Sequence, residues 1–167
     1  MLGVLILIAG IFSRVVFHAP NFTPVISLAL FGGVYLNKRQ AIYVPMLLMA
    51  VTDVILGMHP TMPFTWGSLL LISLLGLWAR NRKNVATLFG ANLFGAILFF
   101  VVTNFGAWLT MYPLTAEGLR NCYIAAIPFF RNTLLSTLVY STVLFGLYEF
   151  IASRIKNTRF AHIFLVA

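Results

Sequence analysis

Three formal charges lie in or beside long apolar runs: Arg14, Asp53 and Arg131. Ionisable groups in such surroundings are costly and normally face a partner or a wet cavity. Asp53 fits two roles: it neutralises Arg14 or Arg131 and so holds helices together, or it contacts a ligand or proton. The two arginines either meet a ligand anion or snorkel to headgroups. Polar and aromatic residues accompany them in two stretches. Asn21 and Thr23 follow Arg14, and Asn104, Trp108, Tyr112, Tyr123 and Asn132 fall between residues 104 and 132. Amides of this kind fix the polar edge of a ligand, and rings stack on a planar one. Trp66, Trp108 and Tyr112 suit an interfacial aromatic belt equally well. Asn92, deep in an apolar run, suits an interhelix hydrogen bond. His18, His59 and His162 show no metal-ligand spacing and read as solvated. Cys122 reads as a passive small residue, and Glu149 as a partner for nearby bases.

Catalysis has little to work with. The sequence holds three acids, no Gly-x-Ser-x-Gly elbow, no His-Glu-x-x-His and no phosphate-binding glycine loop. Neither a cofactor nor a metal is expected, nor enzymatic activity. The single cysteine cannot close an internal disulfide.

The elements that position these residues follow from composition. The chain of 167 residues is 61% apolar and 8% charged, with a mean hydropathy of +0.98. Soluble domains are nearer 45–50% apolar and about 25% charged, so the excess calls for lipid. The apolar runs predict an all-α membrane protein in one domain, residues 1–167. Its six helices fall near residues 2–17, 25–36, 41–58, 66–79, 85–109 and 133–153. Met1 to Val16 has no basic segment before it and reads as a retained first helix. His18 to Pro24 and His59 to Pro63 read as proline-bounded loops. The stretch from Met111 to Asn132 reads as the longest loop, with a short helix from Thr115 to Ile127 capped by Thr115.

The net charge of +8 marks topology, with no nucleic-acid footprint. Lys38 and Arg39, then Arg80, Arg82 and Lys83, then Arg154, Lys156 and Arg159 fall on one side of an even-helix arrangement. Only Arg14, Arg120 and Arg131 fall on the other. The bias of short loops puts the basic clusters and both termini inside. The polar cluster then lies outside.

The run Arg14-x-x-x-His18-Ala-Pro-Asn-Phe-Thr-Pro24, continuing to Leu-Ala-Leu-Phe-Gly-Gly33, resembles the opening of an uncharacterised family of small bacterial membrane proteins. That family is grouped with the substrate-binding S components of energy-coupling-factor (ECF) transporters. Thr103 to Trp108, Met111-Tyr-Pro113 and Gly118 to Thr133 are similar to its later motifs. The resemblance implies a six-helix, S-component-like bundle in the bacterial inner membrane. It would bind a vitamin or related micronutrient, and a T subunit and two ATPase subunits would be its partners. S components also carry an Ala-x-x-x-Ala docking patch on the first helix, approximated here by Ala9-x-x-x-Ser13. The family's motif after Asn132-Thr133 continues with Gly-Asp, where this chain has Ser136-Thr137, so an acid is missing. The combined reading is a substrate-binding membrane subunit, with Arg14, Asn21, Thr23, Asp53, Asn104, Trp108, Tyr112, Tyr123, Arg131 and Asn132 around the ligand. The competing reading is a structural or assembly subunit without a small-molecule ligand.

Overall fold

Helix capping and apolar runs set the elements. The computed structural model describes residues 1–16 and 21–165. The expected loop residues His18, Ala19 and Pro20, and the end of the first helix at Phe17, lie outside the described residues. The described chain is all-helical: α1 (Leu2–Val16), α2 (Val25–Tyr35), α3 (Lys38–Leu56), α4 (Met62–Ala79), α5 (Val85–Met111), α6 (Ala116–Ile155) and a short α7 (Ala161–Phe164), with a 3-10 turn at Arg80–Arg82. Asn37 caps α3 by accepting from the Gln40 N–H, and Asn84 caps α5 by accepting from the Thr87 N–H. Each satisfies an N–H that the first turn leaves without a backbone partner. Pro63 sits in the first turn of α4, where its missing N–H costs nothing, so this helix begins four residues before the expected Trp66.

The stretch from Met111 to Asn132 corrects the sequence reading. The expected long loop and the expected start of the last helix at residue 133 give way to one helix of 40 residues, α6. Thr115 caps it as expected, accepting from the Gly118 N–H at 3.0 Å. Pro128 lies inside it without ending it. The residues that resembled a loop are its exposed face, Glu117, Arg120, Asn121 and Arg131, whereas Gly118, Cys122, Ala126 and Thr133 are buried along the other. Small residues four apart allow α6 to lie close against its neighbours.

Four helices, α3 to α6, are long and apolar enough to cross a membrane; α1 and α2 are shorter apolar helices of 15 and 11 residues. The long helices turn large apolar side chains outward, among them Leu47, Val54, Phe94, Val101, Val139 and Val143. Such a surface suits a hydrocarbon solvent. At 40 residues, α6 extends about 60 Å, twice the thickness of a hydrocarbon layer of about 30 Å.

The short α2 is the centre of the bundle. All its residues are buried. Its backbone meets α4 where Gly33 faces Gly76: a Cβ on Gly33 would stand 2.6 Å from the Gly76 Cα, and one on Gly76 would stand 2.5 Å from the Leu30 carbonyl oxygen. Backbones this close exclude any side chain at the crossing. The C-terminal end of α2 collects charge. Arg80 Nε donates to the Val34 carbonyl at 3.2 Å, Tyr35 Oη donates to Glu149 at 2.5 Å, and the Lys83 ammonium lies 4.6 Å from the Tyr35 ring. Tyr35 also packs among Phe31, Phe145 and Tyr148. The Met1 ammonium donates to the Phe164 carbonyl at 3.2 Å, so the first residue and α7 share one end.

Gly33→Ala should therefore lower the Tm of the detergent-purified protein by several degrees, since overpacking a tight contact costs about 1–3 kcal/mol. Gly67→Ala, at a position with nothing within 4 Å, should leave Tm within a degree or so. Equal Tm values for the two variants would contradict the close α2–α4 crossing.

Candidate functional site

The end of α2 away from the bases begins with Arg14. This residue ends α1 and reaches across to α3. Its Nη2 donates to Asp53 Oδ1 at 2.6 Å, and its Nη1 donates to Thr52 Oγ1 and contacts Met49 Sδ at 2.9 Å. The other Asp53 oxygen accepts from Trp66 Nε1 of α4 at 2.7 Å. Asp53 is 1% exposed and the Arg14 side chain 11%. Of the two roles open to Asp53, the geometry displays the first: both oxygens are engaged by protein, and the acid ties α1, α3 and α4 together. Its cation is Arg14.

Arg14 forms part of the wall of a cavity of about 320 Å³. Asn21 and Thr23, in the segment leading to α2, line another part, as do Val25 and Ile26 at the start of α2. Asn21 has a φ of 54°, the left-handed region that asparagine tolerates better than most residues. Its carbonyl accepts from Ser136 at 3.5 Å. His59, Thr61 and Thr65 come from the start of α4 and the turn before it, with His59 Nδ1 and Thr61 Oγ1 2.8 Å apart. Phe99, Phe100, Thr103 and Asn104 come from α5, and Phe129, Phe130, Thr133 and Ser136 from α6. The Phe100 and Phe130 rings pack together at 4.6 Å.

Several polar side chains in the wall are anchored to their own helices. Thr103 donates to the Phe99 carbonyl, Thr133 to the Phe129 carbonyl, and Asn104 Nδ2 to the Phe100 carbonyl. A hydroxyl that donates to its own helix keeps its oxygen lone pairs as acceptors. The wall thus combines phenyl faces with hydroxyl acceptors. Its one formal charge, Arg14, is already neutralised by Asp53.

Of the residues expected around a ligand, Arg14, Asn21, Thr23 and Asn104 line the cavity. Asp53 stands behind the wall and holds Arg14. Tyr123 is in a second layer: its Oη donates to the Val101 carbonyl at 2.7 Å and its ring meets Phe100 edge-on at 5.7 Å. Trp108 donates to the Pro113 carbonyl and packs on Phe105. Neither Trp108 nor Tyr112 lines the cavity. Arg131 is exposed and lies outside the lining, as does Asn132. On α1, Ala9 is exposed and Ser13 donates to its own helix at the Gly10 carbonyl. Wall residues not expected around a ligand include Thr61, Thr65, Phe99, Phe100, Thr103, Phe129, Phe130, Thr133 and Ser136, together with His59, expected as a solvated histidine. The spacing of Phe129, Thr133 and Ser136 would mark a shared face once residues 116–155 are read as one helix.

Residues 1–159 match a family of unknown function, DUF6580. The chain belongs to this family. Neither the curated proteins nor the solved structures contain a match to it. Membership extends over α1 to α6 and assigns no activity to the cavity.

Removing the Asp53 charge should be severe. Asp53→Asn leaves Arg14 without its counter-ion, and breaking a buried pair in this way costs about 3–5 kcal/mol. The Tm of Asp53→Asn should fall well below that of Trp66→Phe, which removes one hydrogen bond to the same carboxylate. Similar losses for the two variants would show that the ion pair contributes little.

Proposed function

We propose that this protein is the substrate-binding subunit of a membrane uptake system, capturing a small planar molecule from the outer side of a bacterial inner membrane. In this reading six helices cross the bilayer, with both termini and the basic clusters on the cytoplasmic side. The carrying observation is the 320 Å³ cavity at the end of α2 opposite the bases. That volume is at the lower end of ligand sites, which run from about 300 to 1,000 Å³. The phenyl faces of α5 and α6 suit a ring, and Asn104, Thr103 and Asn21 suit its hydrogen-bonding edges. Arg14 offers its remaining N–H groups to an acceptor. Because Asp53 already balances its charge, a carbonyl or ring nitrogen suits it at least as well as an anion. A vitamin or vitamin precursor has these features. The arrangement also agrees with the resemblance to S components, whose T subunit and ATPase subunits would then supply the energy.

Native mass spectrometry of gently extracted protein should find a small molecule retained at one per chain. Adding that molecule should raise Tm in a saturable way, as mass action requires. Phe100→Ala and Asn104→Ala should weaken its binding about tenfold or more, while Arg131→Ala, outside the wall, should leave the affinity within twofold. A stoichiometric protein partner with no small molecule would favour the assembly-subunit reading instead.

The orientation has its own check. With Cys122 replaced by Ser, an Arg82→Cys variant should react with a membrane-impermeant maleimide only after the cells are opened. Labelling in intact cells would place the cavity on the cytoplasmic side.

A further inference from the structure

Next to the cavity floor, one step further along α2 and α6, four oxygen atoms form a chain. Val25 and Ile26 line the cavity and Ser27 follows them; on α6, Thr133 and Ser136 line it and Thr137 and Ser141 follow. Ser27 Oγ lies 3.0 Å from the Thr137 carbonyl oxygen and 2.9 Å from Ser141 Oγ, and Ser141 Oγ in turn contacts Asn92 Oδ1 of α5. All four residues are buried: Ser27 is 0% exposed, Thr137 1%, Asn92 4% and Ser141 7%.

The protons do not match the contacts. Each serine brings one hydroxyl proton, whereas the Thr137 carbonyl and the Asn92 amide oxygen bring none. Three oxygen–oxygen contacts therefore share two protons. The Asn92 amide turns its Oδ1 to Ser141 and its Nδ2 to the Leu88 carbonyl, to which it donates at 2.8 Å. Turning that amide over would set two carbonyl oxygens against each other, moving the deficit elsewhere. Thr137 adds a further oxygen: its Oγ1 is buried without a hydrogen-bond partner among the described residues. Oxygen atoms thus meet with too few protons between them, on side chains that are 0–7% exposed.

We propose that this cluster is a binding site for a small monovalent alkali cation, with sodium as its occupant. The positive charge takes the place of the missing proton. Serine hydroxyls, a backbone carbonyl and an amide oxygen are the hard neutral ligands such ions accept. None of the ligands is a carboxylate, which argues against a divalent ion, whose dehydration would go uncompensated. The bound ion would join α2, α5 and α6 directly beneath Ile26 and Ser136 of the cavity, so its occupancy would brace the floor. This inference stands on the oxygen cluster alone and does not depend on what the cavity binds.

The test is thermal unfolding of the purified protein in sodium, potassium and N-methyl-D-glucamine chlorides at equal ionic strength. Sodium should raise Tm saturably by about 3 °C or more relative to N-methyl-D-glucamine. Ser141→Ala should abolish the difference, while Thr142→Ala, exposed on the other side of α6, should keep it. Identical Tm values in sodium and N-methyl-D-glucamine would overturn the proposal, and so would a sodium effect that survives Ser141→Ala. If Ser141→Ala does not fold, equilibrium dialysis of the unaltered protein with radioactive sodium decides: one saturable ion per chain supports the site, and none overturns it.

Discussion

A carboxylate that is 1% exposed in so apolar a bundle imposes a condition on everything near it. Transfer of a charge out of water costs several kcal/mol unless the charge is paired and its lone pairs are filled. Asp53 meets that condition with Arg14 on one oxygen and Trp66 on the other. The end of α1, the last turns of α3 and the first turns of α4 are consequently fixed against one another. Arg14 is held where its guanidinium forms part of the cavity wall. The same pairing removes the net charge that an isolated arginine would have lent the cavity.

The second constraint is steric. A helix of 11 residues spans about 16 Å, roughly half a hydrocarbon layer, and α2 is enclosed by protein along its whole length. Gly33 and Gly76 allow it to approach α4 at backbone contact. Its two ends then meet different chemistry. Val25 and Ile26 face the cavity, and Val34 and Tyr35 face Arg80, Lys83 and Glu149. The polarity of the bundle is expressed across this one short helix.

Other buried polar side chains lie on α4, at Thr65, Ser68 and Ser73, and along α6. Thr133, Ser136, Thr137 and Ser141 recur at helical spacing, and each is buried. The first two belong to the cavity, and the others to the oxygen cluster with Ser27 and Asn92. In a low-dielectric interior such groups must find one another or a bound species, and their alignment on one face of α6 lets a single seam serve both.

The sequence by itself determined the helical class, the apolar surface and the segregation of bases to the Tyr35 end, because these follow from composition and from the positions of a few charges. It also marked Arg14, Asn21, Thr23 and Asn104, since amides and cations beside apolar runs are costly unless used. The interhelix bond expected of Asn92 is present too, made to Ser141. What only the tertiary structure decided was direction. Arg14 and Arg131 look alike as partners for Asp53, yet one is within 2.6 Å of it and the other faces outward from α6. The residues from 116 to 132 carry Pro128 and five charged or amide side chains, which suggest a helix no longer than Thr115 to Ile127; its continuation through Pro128 into residues 133–155 comes from packing, which local propensity does not encode. Cavities are made by side chains distant in sequence. Phe100, Phe130 and His59 therefore gained their place from helix packing, which no local pattern encodes.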